Sequence, residues 1–444
     1  MLFRQFLDDD LGCASYLIGC ERAGEAVVVD PAYAIEPYLE EAEGRGVRIV
    51  RVIETHNHAD HVSGHGRLAL EYGVPVSVHP LAQVQFPFDP LSDGQELSVG
   101  SVLLRVMHTP GHRPEHCCLL VFDRARADEP WLVLTGDSLL VGDAARPDLA
   151  VEPREGAEGL FTSLRRLLEL PDGVEVYPGH VAGSLCGRGM SSKASTTIGF
   201  ERRFNPALVL ATVQEFVAQS ASVATPRPPN MERIVELNRG PFLGRPPELR
   251  PLCDPGDAVV LDVRPASSFL AGHVPGALNV PVSGASFATK AGFVLPQDRP
   301  VALHASSVEE RERAARGLRS VGFLDLAGYL VDPPAGETME PVSLEELEDL
   351  LEGGAVVLDV REPEEYEEGS IPGSRNVPYR LLASVAEELP RHRPLVTVCE
   401  SGARAVVGAS VLASLGLPAR PLAQGGVPDW RARPAGSESL APTA

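Results

Sequence analysis

The segment Thr55-His56-Asn57-His58-Ala59-Asp60-His61 puts three imidazoles and a carboxylate within six positions. Nitrogen and oxygen donors crowded in this way suit metal coordination. Three more candidate ligands follow along the chain. His112 closes Thr-Pro-Gly-His (109–112), Asp137 closes Thr-Gly-Asp (135–137) and His180 closes Tyr-Pro-Gly-His (177–180). Each follows an apolar run and has a glycine before it, where the backbone can bend and aim the ligand. A different chemistry is written in Cys399-Glu400-Ser401-Gly402-Ala403-Arg404. Here a cysteine ends an apolar run and precedes a helical stretch. Backbone N–H groups of such a loop point inward, and the helix start adds positive potential. That arrangement favours a thiolate and holds an anionic persulfide, with Arg404 closing the loop.

These residues need strand ends and turns to hold them. Glu25–Asp30, Arg48–Glu54, Trp131–Asp137 and Val174–His180 read as short strands, and 34–43, 159–170 and 206–220 read as helices. Toward the C-terminus the chain repeats itself. Ala-Val-Val-Leu-Asp-Val-Arg occurs at 258–264 and again at 355–361, 97 positions on. At the same offset Phe269 pairs with Tyr366, Pro275-Gly276 with Pro372-Gly373, and Asn279-Val280-Pro281 with Asn376-Val377-Pro378. This predicts two copies of one small α/β domain with buried parallel strands. Pro- and Gly-rich stretches at 225–230, 240–247 and 332–336 read as linkers. Ser343 and Glu346 form a capping box, after which Leu344, Leu347, Leu350 and Leu351 share one helical face. The domains expected are 1–245, 246–336 and 337–444, all α/β.

The copies are unequal. The strand Val-Ala-Leu-His ends at His304, and the loop Ala305-Ser306-Ser307-Val308 holds no cysteine, while Cys253 lies before the first strand. The middle copy is therefore expected to lack sulfur chemistry and to serve as a spacer, docking surface or oligomer contact.

Composition narrows the function classes. The 444 residues carry a net charge of −22, which argues against nucleic acid and against anionic membranes, since both need a basic footprint. No stretch of about 18 apolar residues suggests a membrane span. The acidic start reads as no signal peptide, and seven cysteines without a CxxC pair read as reduced thiols, so a cytoplasmic protein is expected. A homo-oligomer is left open.

The ordered set HxHxDH, His, Asp, His over about residues 1–240 resembles the metallo-β-lactamase superfamily. The resemblance implies an αββα sandwich with the metal site at one edge of its two sheets. Two ligand schemes then follow. In a dinuclear zinc hydrolase of the glyoxalase II type, His56, His58 and His112 would hold one metal, and Asp60, His61 and His180 the other, with Asp137 bridging. In the persulfide dioxygenases of the superfamily, His56, His112 and Asp137 would hold one Fe(II) per chain, with zinc a substitute on purification. The ligand list does not choose between them. Gly-Asp-Ala-Ala-Arg-Pro-Asp-Leu (142–149) and Glu-Arg-Arg-Phe-Asn-Pro (201–206) are similar to segments of persulfide dioxygenases. They put forward Arg146 near the mouth of the site and Arg202 for a substrate carboxylate. Cys186, in 182–192, is similar in setting to the extended loop of persulfide dioxygenases fused to rhodaneses, where a thiol could carry sulfur.

Residues 399–404 with Gln424–Trp430 resemble the rhodanese active loop and C-terminal motif over about 341–436. Phosphatase loops have five residues between Cys and Arg; the four here make a smaller ring, suited to sulfur. Glu400 departs from the arginine common at that place, which disfavours the thiolate and changes the donors accepted. The fusion favours the dioxygenase scheme, because a rhodanese handles the same sulfane sulfur. A low-molecular-weight thiol persulfide such as that of glutathione would react with O2 to give sulfite, and Cys399 would transfer a second sulfur to sulfite, giving thiosulfate in sulfide detoxification. The alternatives are the thioester hydrolase and a non-catalytic sulfur carrier.

Overall fold

The computed structural model describes residues 1–148, 151–181, 191–220, 227–331, 333 and 336–433. They form two compact units. One is Met1–Pro247 with Arg319–Gly322, and the other is Glu248–Leu318 with the chain from Phe323 onward.

The first unit is built on two six-stranded sheets. In the strand Cys13–Cys20, Ala14, Tyr16, Ile18 and Cys20 turn to one face and Leu17 to the other, as a two-residue period requires. The first set meets Leu104, Val106, Leu119, Val121 and Leu134 of the second sheet in a shared interior. On the outer face of the first sheet, Leu17, Ala26, Val28 and Val52 pack on Tyr38 and Leu68 of the helices Glu36–Gly44 and His65–Tyr72. On the outer face of the second, Phe122, Val133 and Val176 pack on Leu160, Leu164 and Phe216. These belong to the helices Pro153–Leu167 and Val213–Ser220. The layers are helix, sheet, sheet, helix, the αββα order.

Along 206–220 the helix is shorter than expected and starts at Val213. Asn205 accepts at Oδ1 from the Ala207 N–H, and Glu215 takes the N–H groups of Ala211 and Thr212. These side-chain bonds offer the backbone an alternative to the helix.

The second unit holds two parallel sheets, the first with strands Pro251–Leu252, Val259–Asp262, Leu278–Asn279, Val301–His304 and Leu326–Leu330. The other has strands Val356–Asp359, Arg375–Asn376, Leu395–Val398 and Ala419–Pro421. Equivalent arginines close the same turn in both copies. Arg264 and Arg361 each grip the aspartate two residues earlier and a carbonyl eight residues later. Ser343 accepts from the Glu346 N–H at the start of the helix Leu344–Glu352, and Leu347 is buried. The two copies touch where the Asn279 N–H donates to Ser410 Oγ at 3.0 Å. Ser410 lies on Ala403–Ser414, the helix that follows the Cys399 loop.

Candidate functional site

The strand Arg48–Ile53 delivers residues 54–61 to the edge of the first unit. A set of side chains fixes that loop. Asp30 accepts from the Thr55 N–H at 2.7 Å and from the Thr55 hydroxyl at 2.8 Å. Glu115, held by Arg113, accepts from the Asn57 N–H. Asn238, on the helix Met231–Arg239, donates to the carbonyls of His58 and His61 and accepts from the Ser63 N–H.

His56, His112 and Asp137 come together here, all but fully buried, their ligand atoms within 4.8 Å of one another. Because the Thr55 hydroxyl proton goes to Asp30, Thr55 Oγ1 accepts from His56 Nδ1–H at 2.9 Å. His112 Nδ1–H donates to the Arg146 carbonyl at 3.1 Å. These bonds assign the Nε2 lone pairs of both rings to the inside of the cluster. There they face Asp137 Oδ2 at 3.8 and 3.5 Å, an oxygen that is buried and makes no hydrogen bond. Three lone-pair donors thus converge with no proton between them, which a cation resolves. Burial, with help from nearby imidazoles, holds His56 well below its ordinary pKa, and burial lowers His112 too. Neutral imidazole is the form that binds metal. Burial opposes the charge of Asp137, yet the adjacent His180 and His112 outweigh it and keep this carboxyl below the usual range.

Asp137 is aimed by its neighbours. Gly136 sits at φ +46°, and a Cβ there would lie 2.7 Å from His116 Nε2. That nitrogen accepts from the Asp137 N–H at 3.0 Å, and Nδ1 of the same ring meets Thr109 Oγ1 at 2.9 Å. Burial pushes His116 down to about 3. The sequence reading missed His116, although Pro-Glu-His four residues after His112 marked it as another buried imidazole.

A second group lies beside the first. Asp60, His61 and His180 are brought together, and Cys13 joins them. Its Sγ is 3.1 Å from Asp60 Oδ2, 3.6 Å from His61 Nδ1 and 3.3 Å from His180 Nε2. Burial, then Asp60, pushes the Cys13 thiol well up. His58 lies between the two groups, its ring centred 4.2 Å from that of His56 and 4.3 Å from that of His61, but its ring nitrogen turns elsewhere. Its Nε2 faces Asp30 at 3.3 Å and Glu54 at 3.2 Å, so its ring serves a buried carboxylate pair.

The family comparisons agree with this architecture. The metallo-β-lactamase superfamily model matches residues 8–180, and the rhodanese-like domain model matches 245–331 and 343–433. A crystal structure of a metallo-β-lactamase from Staphylococcus aureus is 30% identical, with a TM-score of 0.69, covering 74% of this chain and 98% of that one. This chain belongs to the metallo-β-lactamase superfamily and carries rhodanese-like domains. Among its relatives, the mitochondrial persulfide dioxygenase of Bos taurus is 28% identical over 253 residues, covering 56% of this chain and 91% of that protein. The human persulfide dioxygenase is 28% identical over 242 residues, covering 54% and 87%.

Within the metallo-β-lactamase domain the three remaining candidates fare differently. Arg146 is buried and forks onto Asp148 at 2.7 Å through Nε and Nη2, while its carbonyl, rather than its guanidinium, meets His112. Arg202 sits on the helix Ile198–Phe204. Its guanidinium is taken by the carbonyls of Leu168 and Leu170 and by Asp172, so it ties down the end of a helix instead of turning to the histidines. Cys186 lies outside the described residues.

In the last rhodanese-like domain, Cys399 is buried at the end of the strand Leu395–Val398, and its sulfur accepts from the Gly402 N–H at 3.1 Å. Gly402 needs φ +91°, and a Cβ would lie 2.3 Å from the Ala423 carbonyl oxygen. Arg404 is held by Glu365 on both arms and has Glu400 at 3.6 Å. In the middle copy Asp262 pairs with His304 where Asp359 pairs with Val398, so Ala305 stands where Cys399 does. The loop is one residue shorter, and the Ser306 N–H donates to Glu310 Oε2 at 2.8 Å.

Proposed function

We propose that the chain is a persulfide dioxygenase joined to a sulfurtransferase. The observation that carries the first half is the inward set of His56 Nε2, His112 Nε2 and the unpartnered Asp137 Oδ2. Two imidazoles and one carboxylate on one face suit Fe(II) with open positions. Similarity to the bovine and human persulfide dioxygenases supports the same reading. The bound metal would supply the redox chemistry that joins O2 to the terminal sulfur.

The chain's own residues do the rest. Thr55 and the Arg146 carbonyl fix the two imidazoles as neutral, lone-pair-inward ligands. His116 fixes the backbone of Asp137. The overall change is RSSH + O2 + H2O giving RSH + HSO3− + H+. At Cys399 a persulfide would be held by the loop N–H groups, beginning with Gly402. Sulfite attack on its outer sulfur breaks the S–S bond, releases thiosulfate and returns the thiolate. Low-molecular-weight persulfides such as that of glutathione are the substrates proposed.

The test uses iron-loaded protein with glutathione persulfide under an oxygen electrode. Oxygen uptake matched one to one by sulfite plus thiosulfate is expected. Two tightly bound zinc ions with rapid thioester hydrolysis, and no uptake, would replace the reading with the glyoxalase II-like one.

A further inference from the structure

We propose that Arg319–Gly322 are positioning residues for the loop 54–63, so that metal binding in the first unit depends on four residues of the middle copy. The proposal rests on the reading of His56, His112 and Asp137 as a metal set, and on neither the metal's identity nor the substrate. The chain runs through the first unit to Pro247 and re-enters it at Arg319, 72 positions on. The returning residues lie inside the stretch 245–331 that matches the rhodanese-like model.

The return meets the metal loop directly. The Val62 N–H, next after His61, donates to the Ser320 carbonyl at 2.7 Å. Val62 and Ser320 are both buried, and a buried N–H without an acceptor is costly. The exit of the loop is therefore tied to residue 320, while its earlier part is tied to the helix Met231–Arg239. On that helix the Val235 carbonyl accepts from Asn57 Nδ2 at 3.3 Å, and Asn238 holds the carbonyls of His58 and His61.

The same four residues also fix that helix. Asn230 stands at its N-cap, where an asparagine ordinarily accepts from its own helix. Asn230 makes no such bond, and its Nδ2 donates to the Val321 carbonyl at 2.7 Å instead. Gly322 follows at φ +87°, a conformation that residues with a Cβ rarely adopt. A Cβ there would stand 3.4 Å from Ile234 Cγ1 and from Leu237 Cδ1 of the helix. At the other end of the segment, Arg319 donates to the Pro247 carbonyl at 2.5 Å. The successive carbonyls of Ser320 and Val321 thus hold the loop and the helix that cradles it in one register. Neither touches a ligand atom of the metal set. They act on the backbone from which His56 projects, and a metal site needs its ligands held to within about 0.5 Å by the shell around them.

The experiment uses full-length protein with Asn230→Asp, which keeps the size and removes the donor, and with Gly322→Ala, which strains the turn. Asn376→Asp controls for general loosening. It removes a donor of the same kind from the last copy, where Asn376 Nδ2 bonds the carbonyls of Asp359 and Arg361. Amide exchange of the peptide covering 55–63 is followed by mass spectrometry in metal-free protein, and Co(II) affinity is measured by competition with a chelator. In Asn230→Asp and Gly322→Ala the peptide should exchange faster, and Co(II) should bind about tenfold more weakly, the lower end of what losing an outer partner costs. Asn376→Asp should match the unaltered protein in both. Unchanged exchange in the two folded variants would overturn the proposal. So would faster exchange with unchanged Co(II) affinity, or equal effects in Asn376→Asp. Failure of the unaltered protein to bind Co(II) would count against the His56–His112–Asp137 metal reading, with the exchange measurement still deciding whether 319–322 hold the loop.

Discussion

Arg404 and Glu365 meet fork to fork, with Nη1 and Nη2 each 2.6 Å from a carboxylate oxygen. Glu365 is held below its ordinary pKa, by the Arg404 hydrogen bonds first, so the pair is ionic at neutral pH. The guanidinium that closes the sulfur loop is thereby occupied, and Glu400 adds a second negative charge beside it. Glu365→Gln should free Arg404 for an anionic sulfur donor. The KM for thiosulfate in sulfur transfer to cyanide should fall about tenfold, the worth of one charge-assisted hydrogen bond at ~1.5 kcal/mol. An unchanged KM would mean that Arg404 serves the loop's shape alone.

Cys399→Ser keeps the size of the side chain but cannot form a persulfide. Oxygen uptake should persist while sulfite accumulates in place of thiosulfate. The same protein should also transfer no sulfur from thiosulfate to cyanide, because Ala305 stands at the equivalent place in the middle copy. Chromatography of the sulfur anions checks the first outcome and the cyanide assay the second. Undiminished thiosulfate, absent from protein-free controls, would move the transfer site to another thiol.

Asp137→Ala removes the one anionic group of the His56–His112–Asp137 set and should abolish both iron retention and oxygen uptake. His116→Ala acts more gently, through the Asp137 N–H that His116 accepts. Loss of such an outer partner costs about 10- to 100-fold in metal affinity. Iron content after dialysis against a graded chelator measures it, and retained circular dichroism separates it from misfolding.

Acid stability should depend on Asp148. Burial opposes its charge, but the hydrogen bonds and charge of Arg146, helped by Arg227, set its pKa to about 2. A pKa below the unfolded value of about 3.9 means the stabilisation is complete above that pH and is lost as pH falls through about 2. Asp148→Asn should therefore lower the urea midpoint at pH 6 and flatten its decline between pH 4 and 2. Parallel curves for the two proteins would contradict this.

Much of this molecule was legible in its residues. The αββα order followed from recognising His56 through His180 as an ordered set, and the parallel sheets from Val-rich runs and the 97-residue repeat. Of the capping box expected at Ser343, the serine half forms, its Oγ accepting from the Glu346 N–H, while the Glu346 carboxylate turns to Arg420 of a distant segment. What escaped was long-range and without pattern. Cys13 is 47 positions from Asp60 and reaches it through pairing of strand ends that no local periodicity encodes. Asn238 lies 177 positions from the His61 carbonyl it holds. The partners of Arg202, two carbonyls and Asp172, likewise come from a different segment. The residues 206–212 looked helical because propensity ignores Asn205 and Glu215, whose side chains take the N–H groups.

In the middle copy the Ser306–Glu310 contact fills the loop from within. Glu310 lies five residues after Ala305, as Arg404 lies five after Cys399, and its carboxylate takes the Ser306 N–H. Ala305→Cys alone would place a thiol in a loop whose Ser306 N–H is already taken by a carboxylate and which lacks the residue that Gly402 supplies. Sulfur transfer in this copy would call for a nucleophile, a glycine added to the loop and a cation where an anion stands. The same copy also braces its neighbour: the Asn279 N–H holds Ser410 on the helix behind Cys399, so a change in the middle domain's packing is felt at the other loop's foundation.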